Sequence, residues 1–252
     1  MNSRVIFFGF GSIAQQHIKI LKSINPNFRF HVIRMKSNYI TKDIKITFHR
    51  NIKDIKQINQ IKLGFVCSPF NFHFKHAIEL IKNEINIFVE KPLAHSLPEA
   101  DSLWKLSEKN GLNVQVGFIE RFNPAVEQLK KVLDQSTKIV NVDFARTNKI
   151  STRITDVDVI ADLMIHDIDI VLSLISSKVK NITSSGVSVI SDTPDIANAR
   201  IEFQNGAVAN LTASRISLKN MRKLRFFQRE TYISVDLYNK KVEVVKMIDA
   251  SK

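Results

Sequence analysis

Asp162 and His166 stand four residues apart in a stretch whose pattern predicts a helix over 162–175, so the carboxylate is within side-chain reach of the imidazole. Such a carboxylate can hold the ring in one orientation and raise its basicity, and a histidine so held suits removal of a proton from a hydroxyl near neutral pH. Lys91 is a second candidate. It follows Glu90 at the end of the apolar run Ile85-Asn86-Ile87-Phe88-Val89, and the carboxyl ends of parallel strands are where open α/β sheets place ligand chemistry. A third group is Gly9-Phe10-Gly11-Ser12-Ile13-Ala14, directly after Val5-Ile6-Phe7-Phe8. Gly9 allows a tight turn, Gly11 removes the Cβ that would block a pyrophosphate, and the small Ala14 lets helix and strand pack closely. The first N–H groups of the helix that follows, those of Ser12 and Ile13 among them, then face the phosphates.

These groups need a frame. Residues 4–9 read as a strand and 12–23 as a helix that stops at Asn25-Pro26. A strand over Phe28–Arg34 follows, with Arg34, Lys36 and Ser37 at its end where a dinucleotide fold usually offers an acidic residue to the ribose. Those three side chains either hold a 2′-phosphate, which favours NADP over NAD, or are solvated loop residues. A short strand at Ile46–Phe48, a helix near Ile52–Ile58 and an apolar strand Leu63–Cys67 ending at Ser68-Pro69 come next. A helix with Asn71 as its N-cap then carries Phe74, Ala77, Ile78 and Ile81 on one face. His73 and His76 on it are three apart, but no carboxylate or thiol joins them, so no metal site is expected. Ser96 and Glu99 form a capping box for a helix that ends at Gly111, and Val114–Gly117 closes the sheet. Six strand-like runs alternating with helices predict a doubly wound parallel sheet over residues 1–119.

After Gly117 the pattern changes. A helix from Pro124 to Leu133, a strand over 139–147 and the 162–175 helix precede a run of strands. Ile201–Phe203 and Val208–Leu211 flank a hairpin turn at Asn205-Gly206. Residues 120–252 therefore read as an α+β domain with a mostly antiparallel open sheet. At 100° per residue the 162–175 helix aligns Asp162, His166, Asp169 and Ser173 in one seam opposite Met164, Ile168, Val171, Leu172 and Ile175. That seam either lines a cleft or is the one wet edge of a packed helix.

With 252 residues and 44% hydrophobic content the chain can bury a substantial core. No apolar run is long enough to span a membrane, and strand pattern starts at the N-terminus where a signal peptide would lie; a cytoplasmic location is expected. The lone Cys67 rules out an internal disulfide. The net charge of +13 is spread along the chain rather than gathered in a tail, which argues against a nucleic-acid role while suiting anionic substrates.

The glycine turn, Ser68-Pro69 with His73, Glu90-Lys91-Pro92, Gly117 with Arg121-Phe122-Asn123-Pro124, and Asp162-x-x-x-His166, in that order, resemble the Gfo/Idh/MocA oxidoreductase family. The resemblance covers nearly the whole chain. It implies an N-terminal Rossmann domain, a C-terminal α/β domain whose open sheet mediates homodimer or homotetramer formation, and NAD(P)-dependent oxidation or reduction of a sugar or nucleotide-sugar hydroxyl. It implies cofactor contacts from Gly9, Gly11, Ser12, Ile13, Ala14, Arg34, Ser68, Pro69, His73, Glu90 and Lys91. It also implies substrate contacts from Lys91, Arg121, Asn123, Asp162 and His166, with Lys91, Asp162 and His166 catalytic. The segments 162–169 and 212–215 are similar to members that act as UDP-N-acetylglucosamine 3-dehydrogenases of lipid A synthesis. For such a diphosphate, Arg215, Lys219, Arg222, Lys223, Arg225 and Arg229 are either guanidinium and ammonium partners or the solvated face of a strand. The sequence departs from the family pattern at Arg34, at Val159 and Met164 where glycines are common, and in stopping at Lys252. A shortened substrate wall would leave a decayed or purely dinucleotide-binding protein as the alternative.

Overall fold

A computed structural model describes residues 4–34, 45–133, 138–149 and 157–247. Two compact units divide after Gly117, two residues before the boundary expected from the sequence.

The first unit is a parallel sheet wound on both sides. In chain order it comprises β1 (Arg4–Phe8), α1 (Ser12–Ile24), β2 (Arg29–Ile33), β3 (Ile46–His49), β4 (Leu63–Val66), α2 (His73–Lys82), β5 (Asn86–Val89), α3 (Leu97–Lys109) and β6 (Val114–Val116). The strand order is β3-β2-β1-β4-β5-β6, all parallel, the order of a Rossmann fold. From Val5 to Phe8, β1 is apolar because both of its faces are covered there. Val5 and Phe7 pack with Ala14 and Ile18 of α1, while Ile6 and Phe8 pack with Ala77 and Leu80 of α2 and Leu103 of α3. Phe7 stacks on Phe65 at 4.6 Å, a contact worth about 0.5–1.5 kcal/mol beyond its buried area.

Three local expectations change. The helix expected near Ile52–Ile58 is two separate 3₁₀ turns, Ile52–Asp54 and Ile58–Gln60, with Gln57 between them at φ 59°. A left-handed residue at that point stops a continuous helix. Asn71 does not cap α2, because a 3₁₀ turn over Phe70–Phe72 leads directly into the helix. In the Ser96 box, the Ser96 hydroxyl accepts from the Glu99 amide, but the Glu99 carboxylate accepts from the His95 amide at 3.0 Å, one residue before the expected donor.

The second unit stacks helices on one face of a seven-stranded sheet. α4 (Pro124–Val132), β7 (Ile139–Lys149), α5 (Ile165–Leu174), β8 (Val179–Val187), β9 (Ile196–Phe203), β10 (Val208–Ser217), β11 (Met221–Gln228), β12 (Thr231–Asp236) and β13 (Lys241–Lys246) follow in order. The sheet order is β13-β12-β11-β7-β10-β9-β8, antiparallel except for the β7–β10 pair. The Asn205-Gly206 hairpin forms, but only Gly206 takes positive φ, at 80°. The Gly206 amide donates to the Phe203 carbonyl and the Phe203 amide to the Ala207 carbonyl, a three-residue loop with a glycine bulge rather than the two-residue turn.

Alternation along β7 sends Val142, Phe144 and Arg146 into the same interior face, and Arg146 is among the most deeply buried side chains of the protein. Its guanidinium donates to Asp167 of α5 at 2.7–3.0 Å and to Glu120 at 3.4 Å, and Glu120 also accepts from Arg222 at 2.8 Å. Burial pushes the Asp167 carboxyl up, against the opposing pull of Arg146. Removing one partner of such a pair strands a buried charge, whereas removing both does not. Arg146→Met or Asp167→Leu alone should cost about 3–5 kcal/mol. The double variant should recover most of that loss, as read from denaturant midpoints.

Candidate functional site

On the first unit the site is the carboxyl edge of the parallel sheet. Gly9, at φ 97°, turns the chain off β1, and its amide donates to the Ile33 carbonyl at 3.1 Å. A Cβ at Gly9 would lie 2.5 Å from the Cys67 carbonyl oxygen, so only glycine fits. At Gly11 the backbone is ordinary (φ −72°, ψ −176°) and a Cβ would meet nothing within 4 Å, which means that its missing side chain leaves open space beside the helix entrance. The N-cap residue of α1, Gly11, has no side chain to cap the helix, and no acidic residue lies in its first turn. Backbone amides of Ser12, Ile13 and Ala14 at such an entrance, with the helix dipole behind them, suit a pyrophosphate, so these residues fit the dinucleotide that the glycine pattern implies.

The next two strand ends are tied together beneath that edge. Ser68 and Pro69 follow β4, and His73 is buried with Nδ1 2.7 Å from the Pro92 carbonyl and Nε2 2.9 Å from the Ser68 carbonyl. His73 thus clamps the loop after β4 to the loop after β5 rather than presenting a free nitrogen. His76 meets the Ser68 hydroxyl at 2.9 Å and stacks on Phe8, and burial pulls its pKa down to about 4. Glu90 and Lys91 follow β5, and the Lys91–Pro92 peptide is cis. Glu90 is held by His17 of α1, Nε2 to Oε1 at 2.7 Å, and a Cβ on Gly117 would come within 3.0 Å of its other oxygen. His17, Cys67 and Glu90 bring potential ligand atoms within 4.8 Å of one another, a grouping that their sequence spacing does not reveal. Burial, with Glu90 adding to it, pushes the Cys67 thiol well above its usual range, so a proton rather than thiolate chemistry belongs there. Arg34 closes β2, its amide donating to the His49 carbonyl at 3.0 Å, while Lys36 and Ser37 lie outside the described residues.

On the second unit Asp162 and His166 lie at a change of helix type. Residues Ile160–Met164 form a π turn that passes into α5, and Asp158 starts it, accepting from the Ala161 amide through its side chain and from the Asp162 amide through its carbonyl. A π turn takes more residues per revolution than an α-helix, so a 100° plot does not run through it unbroken. Burial along the expected seam is uneven, within the regular part of α5 as well. Asp162 and His166 are half-buried, with the His166 Nδ1 shielded from solvent, whereas Asp169 is buried and Ser173 is exposed. Leu172, expected on the packed side, is 49% exposed.

Several residues expected at the substrate are engaged inside the protein. Arg121 grips Asp169 through two hydrogen bonds of 2.6 Å. Asn123 accepts from the Ala125 amide as the N-cap of α4 and donates to the Leu237 carbonyl. Arg215 is buried and divides its donors among Asp195, Val157, Ser191 and Thr193. The Asp195 carboxylate, accepting from the amides of Ile190 and Val189 and from Arg215, is held far below its usual range. Arg222 is taken by Glu120, while Lys223 and Arg225 alternate with buried Leu224 and Phe226 as the solvated side of β11. Glu120, Arg146 and Asp167, which anchor α5, were not among the expected residues. Their signal was an arginine at an inward strand position and an aspartate in an apolar helix, each of which demands a buried partner.

A Cβ at Gly9 collides with backbone whereas one at Gly11 does not. Gly9→Ala should therefore lower the thermal midpoint and dinucleotide affinity together. Gly11→Ala should keep the midpoint within about 1 kcal/mol of wild type in stability terms and lose affinity for NADH alone, by fluorescence titration.

Two family models cover most of the chain: the Gfo/Idh/MocA oxidoreductase family, NAD-binding Rossmann fold, matches residues 3–118, and the Gfo/Idh/MocA C-terminal domain matches 140–233. The chain is 31% identical over 179 residues to UDP-N-acetylglucosamine 3-dehydrogenase of Acidithiobacillus ferrooxidans, a match covering 71% of this chain and 56% of that enzyme's length. It is 26% identical to scyllo-inositol 2-dehydrogenase (NAD(+)) of Bacillus subtilis, over 85% of this chain and 68% of that one. The solved structure of the Acidithiobacillus enzyme superposes with a TM-score of 0.87 at 24% identity, covering 98% of this chain and 80% of that one. With both domains matched in order and the glycine turn shaped for a dinucleotide, the chain belongs to the Gfo/Idh/MocA family of oxidoreductases.

Proposed function

We propose that the protein is an NAD(P)-dependent dehydrogenase acting on a hydroxyl of a nucleotide sugar, of the UDP-N-acetylhexosamine class. The glycine turn carries this reading: Gly9 forces the chain past Cys67, and Gly11 leaves open space at the helix entrance. The nucleotide-sugar part rests on the 31% identity to the Acidithiobacillus enzyme, since the relatives include inositol dehydrogenases as well. When bound, the nicotinamide accepts or supplies the hydride. Within the chain, His166 takes the hydroxyl proton and Asp162 orients its ring. Lys91, at the carboxyl edge of the first unit's sheet, supplies a cation that stabilises developing negative charge on the substrate. Ser68, Pro69 and Glu90 shape the cofactor side, with His73 and His17 fixing their loops. Arg34 gives the adenosine end a cation where a carboxylate is usual, which favours NADP. Assembly as a homodimer or homotetramer in the cytoplasm completes the proposal. The exposed Ile182, Val187, Val189 and Ile190 at the β8 edge offer apolar surface to a second copy, and no helix among the described residues is long and apolar enough to cross a membrane.

A second reading, a dinucleotide-binding protein without turnover, is favoured by the internal engagement of Arg121, Asn123 and Arg215. Absorbance at the nicotinamide band separates the two when UDP-N-acetylglucosamine is compared with myo-inositol and free sugars. Turnover of the nucleotide sugar supports the first reading; dinucleotide binding with no turnover of any of them supports the second. His166→Ala should leave NADH affinity unchanged and reduce turnover by about 10²–10⁴-fold. Arg34→Ala should shift the NADPH-to-NADH affinity ratio about tenfold or more towards NADH, the worth of one charge-assisted hydrogen bond.

A further inference from the structure

The connection from β3 to β4 leaves part of the first unit's sheet uncovered. A parallel sheet of this type normally carries a helix at each crossover, yet residues 50–62 cross as two 3₁₀ turns. Beside them lies a cleft of about 560 Å³, within the size range of small-molecule sites. Its walls are cationic. Arg4 comes from β1, Arg29 and His31 from β2, Lys45 and His49 from the segment of β3, and Lys56 from the crossing, with Thr47 and Gln57 also lining it and Asp54 the single acid among the described residues. One oxygen of Asp54 already accepts from the Asn51 amide at 2.9 Å.

This arrangement works against the stability of the fold. Arg4 and Arg29 are paired directly across β1 and β2, and like charges in register are destabilising. His31 and His49 face each other, Nδ1 to Nε2 at 3.0 Å, so that one ring must donate and the other accept while both are neutral. We infer that this cleft is a binding site for a small polyanion of the phosphate class, separate from the glycine turn at the entrance of α1. A concave site suits a compact anion better than the extended backbone of a nucleic acid, which is followed by a stripe of charge.

The histidine pair adds a pH dependence whose sign is fixed. Burial pulls His31 down to about 4, helped by His49 and Arg4, and burial also lowers His49 against the pull of Asp54. Among the described residues, the other charges lining the cleft beside the pair are Arg29, Lys45 and Lys56, all cationic. An anion placed among them favours the imidazolium, so binding takes up a proton and strengthens as pH falls.

Calorimetry with sodium tripolyphosphate, on protein saturated with NADH so that the glycine turn is filled, tests the site. One-to-one binding is expected, weakened at least tenfold by Arg29→Ser with Lys56→Ser and by Thr47→Glu, and unchanged by Lys109→Ser at the end of α3, which does not line the cleft. The Arg29→Ser change should leave the thermal midpoint unchanged or raise it. The ring signals of His31 and His49, titrated with and without sulfate, whose charge is constant over this range, should shift to higher pKa when sulfate is present. The inference is overturned if saturating NADH abolishes the heat, if the double variant binds as tightly as wild type, or if sulfate leaves both histidines unmoved. Binding of an RNA oligonucleotide with steep salt dependence and no binding of tripolyphosphate would also overturn it, in favour of a nucleic-acid surface.

Discussion

At Gly9 the chain passes so near the Cys67 carbonyl that no side chain can stand between them. That single approach decides how close β1 and β4 run at their carboxyl ends and therefore where α1 begins. The backbone bonds on either side repeat the constraint: the Gly9 amide reaches Ile33, the Cys67 amide reaches Phe8 and the Glu90 amide reaches Val66. Each strand end is thus fixed by its neighbour before any side chain is considered. The candidate groups Glu90 and Lys91 inherit their position from this ladder, and the His73 clamp between the Ser68 and Pro92 carbonyls holds the loops that carry them.

The second unit fixes its candidate residues by other means. Asp162 and His166 lie where a π turn enters α5, and that helix is pinned from inside by charge rather than by backbone ladder. Arg146 reaches Asp167 from β7, Glu120 joins them and binds Arg222, and Arg121 holds Asp169. Replacing such a buried pair by well-packed apolar residues is often neutral or stabilising, so stability alone is a weak reason for it. What directional bonds add is angle and register. Two carboxylates flanking Ile168, each gripped by a separate arginine, leave α5 little freedom to rotate and so fix where its backbone presents the half-buried His166.

Backbone-driven features were legible in the sequence, and partner-driven ones were not. The glycine turn, the alternation of strands and helices up to Gly117, and the hairpin at Gly206 follow from φ, period and capping, all of which are local. The Ile52–Ile58 helix failed because its apolar spacing is satisfied equally by two short turns whose Ile52 and Ile55 pack under the sheet, and nothing local forecasts the left-handed Gln57. The internal partners of Arg121, Asn123 and Arg215 were not legible for a different reason. A polar residue in a site-like motif looks the same whether its partner is a ligand or Asp169, the Ala125 amide or Asp195, and those partners are fixed only when the sheet and helices meet.

The same distinction explains why the flank of the first sheet is the most informative departure. Along β2 the alternation Arg29, Phe30, His31, Val32 puts apolar residues on the α1 side and polar ones on the other, a pattern suited to a strand with one wet face. A helix over Ile52–Ile58 would have covered those polar groups and required partners for them; two 3₁₀ turns do not. The β2 pattern and the broken crossover are therefore consistent with each other, since solvent or a counter-ion can reach the side chains that a helix would have buried. What solvation alone does not explain is the sign. Water tolerates acids and bases equally on an open strand face, whereas this one sets arginine opposite arginine and histidine against histidine, with Asp54 partly spent on its own turn.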